Sequence, residues 1–133
     1  ETAAITLTEA HIVTWAGLTG DFYPLHMDRE YAAKTQFGER LVHGPLIFGL
    51  AVGLVSLAGI GGDAAIAWLG VDDLRMLKPV KLGDTVRVIV DVKAQQSTSN
   101  PRKCVQVWRY TVRNQRDEEV MAFDYKMMFH MRG

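Results

Sequence analysis

Cys104 is the only cysteine in 133 residues. That excludes an internal disulfide framework and any multi-cysteine metal site. It makes a reducing, cytoplasmic setting the expectation. Net charge is lacking too, because 15 basic and 15 acidic residues cancel. Nothing here favours nucleic acid or an anionic membrane surface as a general partner. The chain has no repeat, low-complexity tract or interdomain linker. Residues 1–133 are therefore read as one domain, long enough for a sizeable core. The N-terminal ETAAITLTEA lacks a basic region followed by an apolar run, so no secretory signal is read there.

Charge is missing altogether from one stretch, Gly44 to Gly62. By length it is a membrane-span candidate. Gly59, Gly61 and Gly62 read as a helix end and loop, however. The helical part, from Pro45 to about Ala58, would reach only about 21 Å, short of a hydrocarbon core of about 30 Å. A helix buried on all sides in a soluble core is the expectation, with Pro45 at its first position.

What the sequence does have is a change of period. Thr8 predicts the cap of a helix over about Glu9–Leu18, and Asp28 that of a short helix over Arg29–Lys34. TQFGERLVHG reads as an irregular connection. After Gly62 the apolar residues alternate. Val86, Val88, Val90 and Val92 share one strand face. KCVQVWRYTVR is rich in β-branched and aromatic residues. Met121, Phe123, Tyr125, Met127, Phe129 and Met131 form a core stripe on the last strand. KLGDT and NQRDE read as turns. AIAWLGVDDLRMLKPV predicts a further strand, bent near Asp72 and Asp73. Helices first and antiparallel strands afterwards imply an α+β domain, its sheet wrapped around the Pro45 helix.

Two places can carry chemistry. In TGDFYPLHMDREYA, Asp21 and His26 lie five residues apart. On a helix that spacing would set them about 140° apart, and Pro24 would break a helix running through it. A turn is the expectation. A carboxylate and an imidazole brought together can hold a water, remove one of its protons and supply another elsewhere. In the plainer alternative, Asp21 closes the turn and His26 bonds backbone. His26 and Asp28 are too few ligands for a metal, and His11, His43 and His130 have no ligand spacing. No metal or other cofactor is expected.

The second place is VHGPL. Gly44 opens the apolar helix, whose first N–H groups have no partner inside it and whose end is partly positive. Glycine lets a ligand approach that backbone, as in an oxyanion hole; the alternative is that Gly44 only makes the turn. His43 is read as structural. Together the features suit a thioester carbonyl polarised at Gly44 while a water on Asp21 and His26 adds to the neighbouring double bond.

GDFYPLHMDREYA followed by FGERLVHGPLIFGLAVGL resembles the MaoC-like family of (R)-specific enoyl-CoA hydratases. LKPVKLGDTVRVIVDV and VRNQRDEEV extend the likeness, which runs from about Thr8 to Val120. The resemblance implies a hot-dog fold, an antiparallel sheet around a long central helix. It also implies a homodimer, or an assembly of dimers, with active sites at the interface. Asp21 and His26 then match the catalytic pair. Gly44 matches the residue whose N–H binds the thioester oxygen, with Tyr23 and His43 beside it on the substrate-binding side. Two positions depart from the family pattern. Tyr23 stands where asparagine is common, and Val52 where well-known members have a serine. The implied activity is hydration or dehydration of a 2-enoyl-CoA or 3-hydroxyacyl-CoA thioester. An acyl-CoA thioesterase and a non-catalytic acyl-CoA-binding subunit are the alternatives. Arg75, Lys78, Lys81 and Arg102 are candidates for the CoA phosphates, each more readily a solvated surface charge.

Overall fold

Thr8 begins the first helix as its sequence predicts. Its N–H donates to Nδ1 of His11 at 3.0 Å, which satisfies the start of α1 (Glu9–Thr19). Gly20 ends α1 in the left-handed region, at φ 81°, where a side chain would be strained. The computed structural model describes residues 1–131.

The next segment corrects the sequence reading. Pro24–Met27 is a one-turn helix, α2, with proline at its start. Pro24 therefore opens a helix instead of blocking one, because its missing N–H has no partner to lose there. His26 is carried by α2, while Asp21 stays outside in the approach to it. Asp28 then caps α3 (Arg29–Ala33), its Oδ1 accepting the Tyr31 N–H at 3.0 Å.

The apolar helix, α4, spans Gly44–Leu57 with His43 as its N-cap. Gly44, not Pro45, takes the first position. Leu46, Ile47, Ala51, Leu54 and Val55 are buried, but Leu57 is 81% exposed and Gly53 and Ser56 also face outward. The expectation of burial on every side fails for this chain alone. No helix among the described residues is long and apolar enough to cross a membrane.

Among the described residues, five antiparallel strands form one sheet in the order β1-β3-β4-β5-β2. They are β1 (Ile5–Thr6), β2 (Ala65–Met76), β3 (Thr85–Ser97), β4 (Lys103–Arg113) and β5 (Glu119–His130). β1 is too short to have shown a period. β2 is bent where expected, with a register shift between Asp72 and Arg75 and Asp73 at φ 52°. The stripes hold over most of their length. Val86, Val88, Met121, Phe123, Tyr125 and Phe129 are buried, whereas Val92 is 64% exposed beside a bulge and Met131 lies exposed past β5. Phe48 of α4 meets the Phe123 ring edge-on at 5.0 Å, locking the helix to the sheet.

The β4–β5 turn is organised by Asn114, whose Oδ1 accepts the N–H groups of Arg116 and Glu118 at 3.0 Å each. Glu118 accepts from Lys78, Asn114 and Arg116, which hold its carboxyl down at about 2, from an ordinary value of 4.5. A depressed carboxyl contributes stability above its unfolded value and loses it as pH falls through the folded one. Wild type should therefore lose thermal stability between about pH 4.5 and 2. Glu118→Gln should flatten that limb; an unchanged slope in melts across this range would refute the assignment.

Candidate active site

Arg40 braces the frame that holds His26. Its guanidinium pairs with both carboxylate oxygens of Glu9 on α1, at 2.8 and 3.0 Å, and its Nε donates to the His26 carbonyl at 2.6 Å. The same pair lowers the Glu9 pKa, chiefly through the hydrogen bond to Arg40. The His26 Nδ1 lies 2.8 Å from the Leu41 carbonyl oxygen. A carbonyl only accepts, so Nδ1 carries the hydrogen and Nε2 keeps its lone pair in the neutral ring.

Asp21 is half-buried. One of its carboxylate oxygens accepts the Tyr23 N–H at 3.3 Å, closing a short turn. Asp21, His26 and His43 each bring one oxygen or nitrogen within 4.8 Å of the others. One water making two bonds of about 2.8 Å can bridge such a span. The structure thus brings the two sequence-predicted residues together.

His43 is fully buried. Its Nε2 lies 3.0 Å from the backbone oxygen of Asp21, so Nε2 bears the hydrogen. Its ring stacks on His26 at 4.1 Å and 27°. Burial, above all, lowers its pKa; the hydrogen bond to the Asp21 carbonyl opposes that, and a charge on His26 adds to it.

The three side chains invite a metal, which the sequence spacing had not suggested. A shared ion would have to lie in both imidazole planes, about 2.1 Å from each nitrogen. The stacked, nearly parallel rings do not let those planes meet so close. One nitrogen of each ring is already occupied by a carbonyl. Those bonds leave the other nitrogen of each ring unengaged, so it is the stacking of the rings that does not fit a shared ion.

Gly44 lines the same cavity as His26, of about 310 Å³, with Phe37, Leu41, Met76, Leu77 and Lys78 among its other walls. Its N–H stands at the first helical position, where no intrahelical partner exists. No other partner is found among the described residues. Tyr23 is 55% exposed, edge-on to His26 at 6.0 Å. Val52 lines a different cavity, of about 200 Å³, with Trp108, Tyr110, Tyr125 and Phe129. Of the basic candidates, Lys78 borders the His26 cavity and pairs with Glu118. Lys81 and Arg75 pair with Glu39 and Asp73. Arg102 lies in the turn before β4. Sequence reasoning missed Arg40 and the Leu41 carbonyl. Arg40 carried no spacing signal, and a backbone oxygen carries none at all.

The family model described as MaoC like domain matches residues 1–114. Protein MaoC of Klebsiella aerogenes is 41% identical over 125 residues, which cover 89% of this chain and 37% of that protein. The chain thus spans little more than a third of that relative. An (R)-specific enoyl-CoA hydratase of Aeromonas caviae is 39% identical over 85 residues, 64% of this chain and 61% of that one. The solved structure of an (R)-hydratase from A. caviae superposes with a TM-score of 0.80 at 27% identity, covering 96% of this chain and 91% of that chain. With its antiparallel sheet laid against one long helix, the chain has the hot-dog fold and belongs to the MaoC-like family.

Proposed function

We propose that this chain is a cofactor-independent acyl-CoA hydratase/dehydratase that interconverts a 2-enoyl thioester and an (R)-3-hydroxyacyl thioester. The observation that carries this reading is the approach of the Asp21 carboxylate and the His26 imidazole to within 4.8 Å, on a cavity shared by His26 and the free N–H of Gly44. The names of its hydratase relatives support the reaction type.

The chemistry follows from charge. A thioester oxygen accepting the Gly44 N–H gains negative charge as the double bond is attacked, and a helix N-terminus stabilises that charge. Asp21 Oδ and His26 Nε2 are both acceptors, so they orient both hydrogens of one water. Its oxygen bonds to C3 as the pair removes a proton. The electron pair of the double bond moves onto C2 and the carbonyl. A proton from the pair then completes C2, so one water is added and nothing else is consumed. Elimination is the reverse. The test is mass analysis of a panel of 2-enoyl and 3-hydroxyacyl thioesters of CoA and of acyl carrier protein, with free thiol followed in parallel. Gain or loss of one water without thiol release supports the reading. Thiol release would make the protein a thioesterase instead.

A second copy of this chain is the proposed partner. β2 pairs only with β5 among the described residues, leaving a long open edge. That strand and its end expose Ile66, Trp68, Leu69, Leu74, Met76 and Leu77. An apolar open edge of this length is a template for pairing. Met76 and Leu77 also wall the His26 cavity, so a partner on β2 would complete the site. Trp68→Lys with Leu69→Lys should halve the mass seen by analytical ultracentrifugation and lower turnover at least tenfold. A monomeric wild type would refute the proposal.

A further inference from the structure

His43 has more bonds to the site than a core histidine needs. It is fully buried, between the Trp15 ring at 6.5 Å and the His26 ring at 4.1 Å. Its Nδ1 is buried without a hydrogen-bond partner. A buried nitrogen without a partner is a cost that a phenyl ring of similar shape avoids. What the imidazole adds is its Nε2–H, and that hydrogen goes to the backbone oxygen of Asp21, 22 residues away. The next residue in the chain is Gly44, and His43 itself caps α4.

We propose that His43 is a positioning residue that joins the two halves of the site. Its Nε2–H fixes the backbone that carries Asp21, its ring face fixes the plane of His26, and its own backbone ends at the Gly44 N–H. The inference rests on the hydratase reading for its kinetic consequence but not for its structural one. The residue acts through others, since its free nitrogen is buried and its donor nitrogen is engaged. The ionisable groups facing it are Asp21 and His26. The arrangement requires a neutral His43, and burial favours that form.

Two substitutions separate the two contacts. His43→Phe keeps a ring against His26 and loses the donor to Asp21. His43→Gln keeps an N–H at similar reach and loses the ring. His43→Phe should fold with little change in thermal stability, because relief of the unpaired Nδ1 offsets the donor lost to the Asp21 carbonyl, yet lower kcat at least tenfold with KM changed less than about threefold, as expected when reacting groups shift by a fraction of an ångström. His43→Gln should recover part of that loss. The second readout needs no substrate: ¹⁵N shifts of the His26 ring should report one tautomer, hydrogen on Nδ1, in wild type and a mixture in His43→Gln. Wild-type kcat in both variants, or one unchanged His26 tautomer in His43→Gln, would overturn the proposal. If wild type turns over no thioester, the hydratase reading fails while the ¹⁵N comparison still decides the role of His43. If His43→Phe does not fold, His43→Gln and the same spectra decide it.

Discussion

Asp21→Asn is expected to lower hydration of a 2-enoyl thioester by about 10³-fold, with the melting temperature unchanged. The two effects separate because of what the carboxylate does in the fold. Its side chain accepts one hydrogen bond, from the Tyr23 N–H at 3.3 Å. An asparagine oxygen accepts that bond equally well, so the turn into α2 survives. Asparagine does not take up a proton near neutral pH, so the water loses its base. His26 alone would still orient that water, which is why the loss should fall short of complete. Steady-state assays beside thermal melts check both halves. Retained turnover would remove Asp21 from the mechanism, and a large fall in melting temperature would make its role structural.

Gly44→Ala should produce the second large effect, a fall of about 10²-fold in kcat/KM. A Cβ built on Gly44 meets no atom within 4 Å, and its φ is not in the left-handed region. The fold therefore has no need of glycine at this position. Alanine also favours a helix, so stability should hold or rise slightly. The methyl group would occupy the cavity beside the N–H that the thioester oxygen has to reach. If Gly44→Ala has wild-type kcat/KM, the helix N-terminus is not the oxyanion site.

Much of the fold was legible because its signals are local. Thr8, Asp28, Gly83 and Asn114 mark ends and turns through their own side chains or φ angles. The period-two stripe from Met121 to Phe129 depends on nothing but strand geometry. The site was legible in part for the same reason, since Asp21, His26 and Gly44 sit in short motifs. The one-turn helix at Pro24 was misread because a proline that breaks a helix and one that opens it look alike until the partner of the missing N–H is known. Arg40 was invisible because its two contacts, Glu9 and the His26 carbonyl, lie 31 and 14 residues away. His43 was read as structural, and its burial agrees with that. Its bond to Asp21 depends on how α2 and α4 pack, which no spacing encodes.

Pairing distance along the chain divides the sheet into cheap and costly parts. Ser97 faces Cys104 in the β3–β4 hairpin, seven residues on. The shortest loop that β2 closes with β5 runs from Met76 to Met121, 45 residues. Closing the longer loop costs about 1.6 kcal/mol more chain entropy. Of the four long strands, β2 is therefore the one that gains least from its neighbours in sequence, and its end supplies Met76 and Leu77 to the cavity wall. The hairpins of β3, β4 and β5 can persist while that wall is lost. Damage to stability accordingly reaches the cavity beside His26 before it reaches the greater part of the sheet.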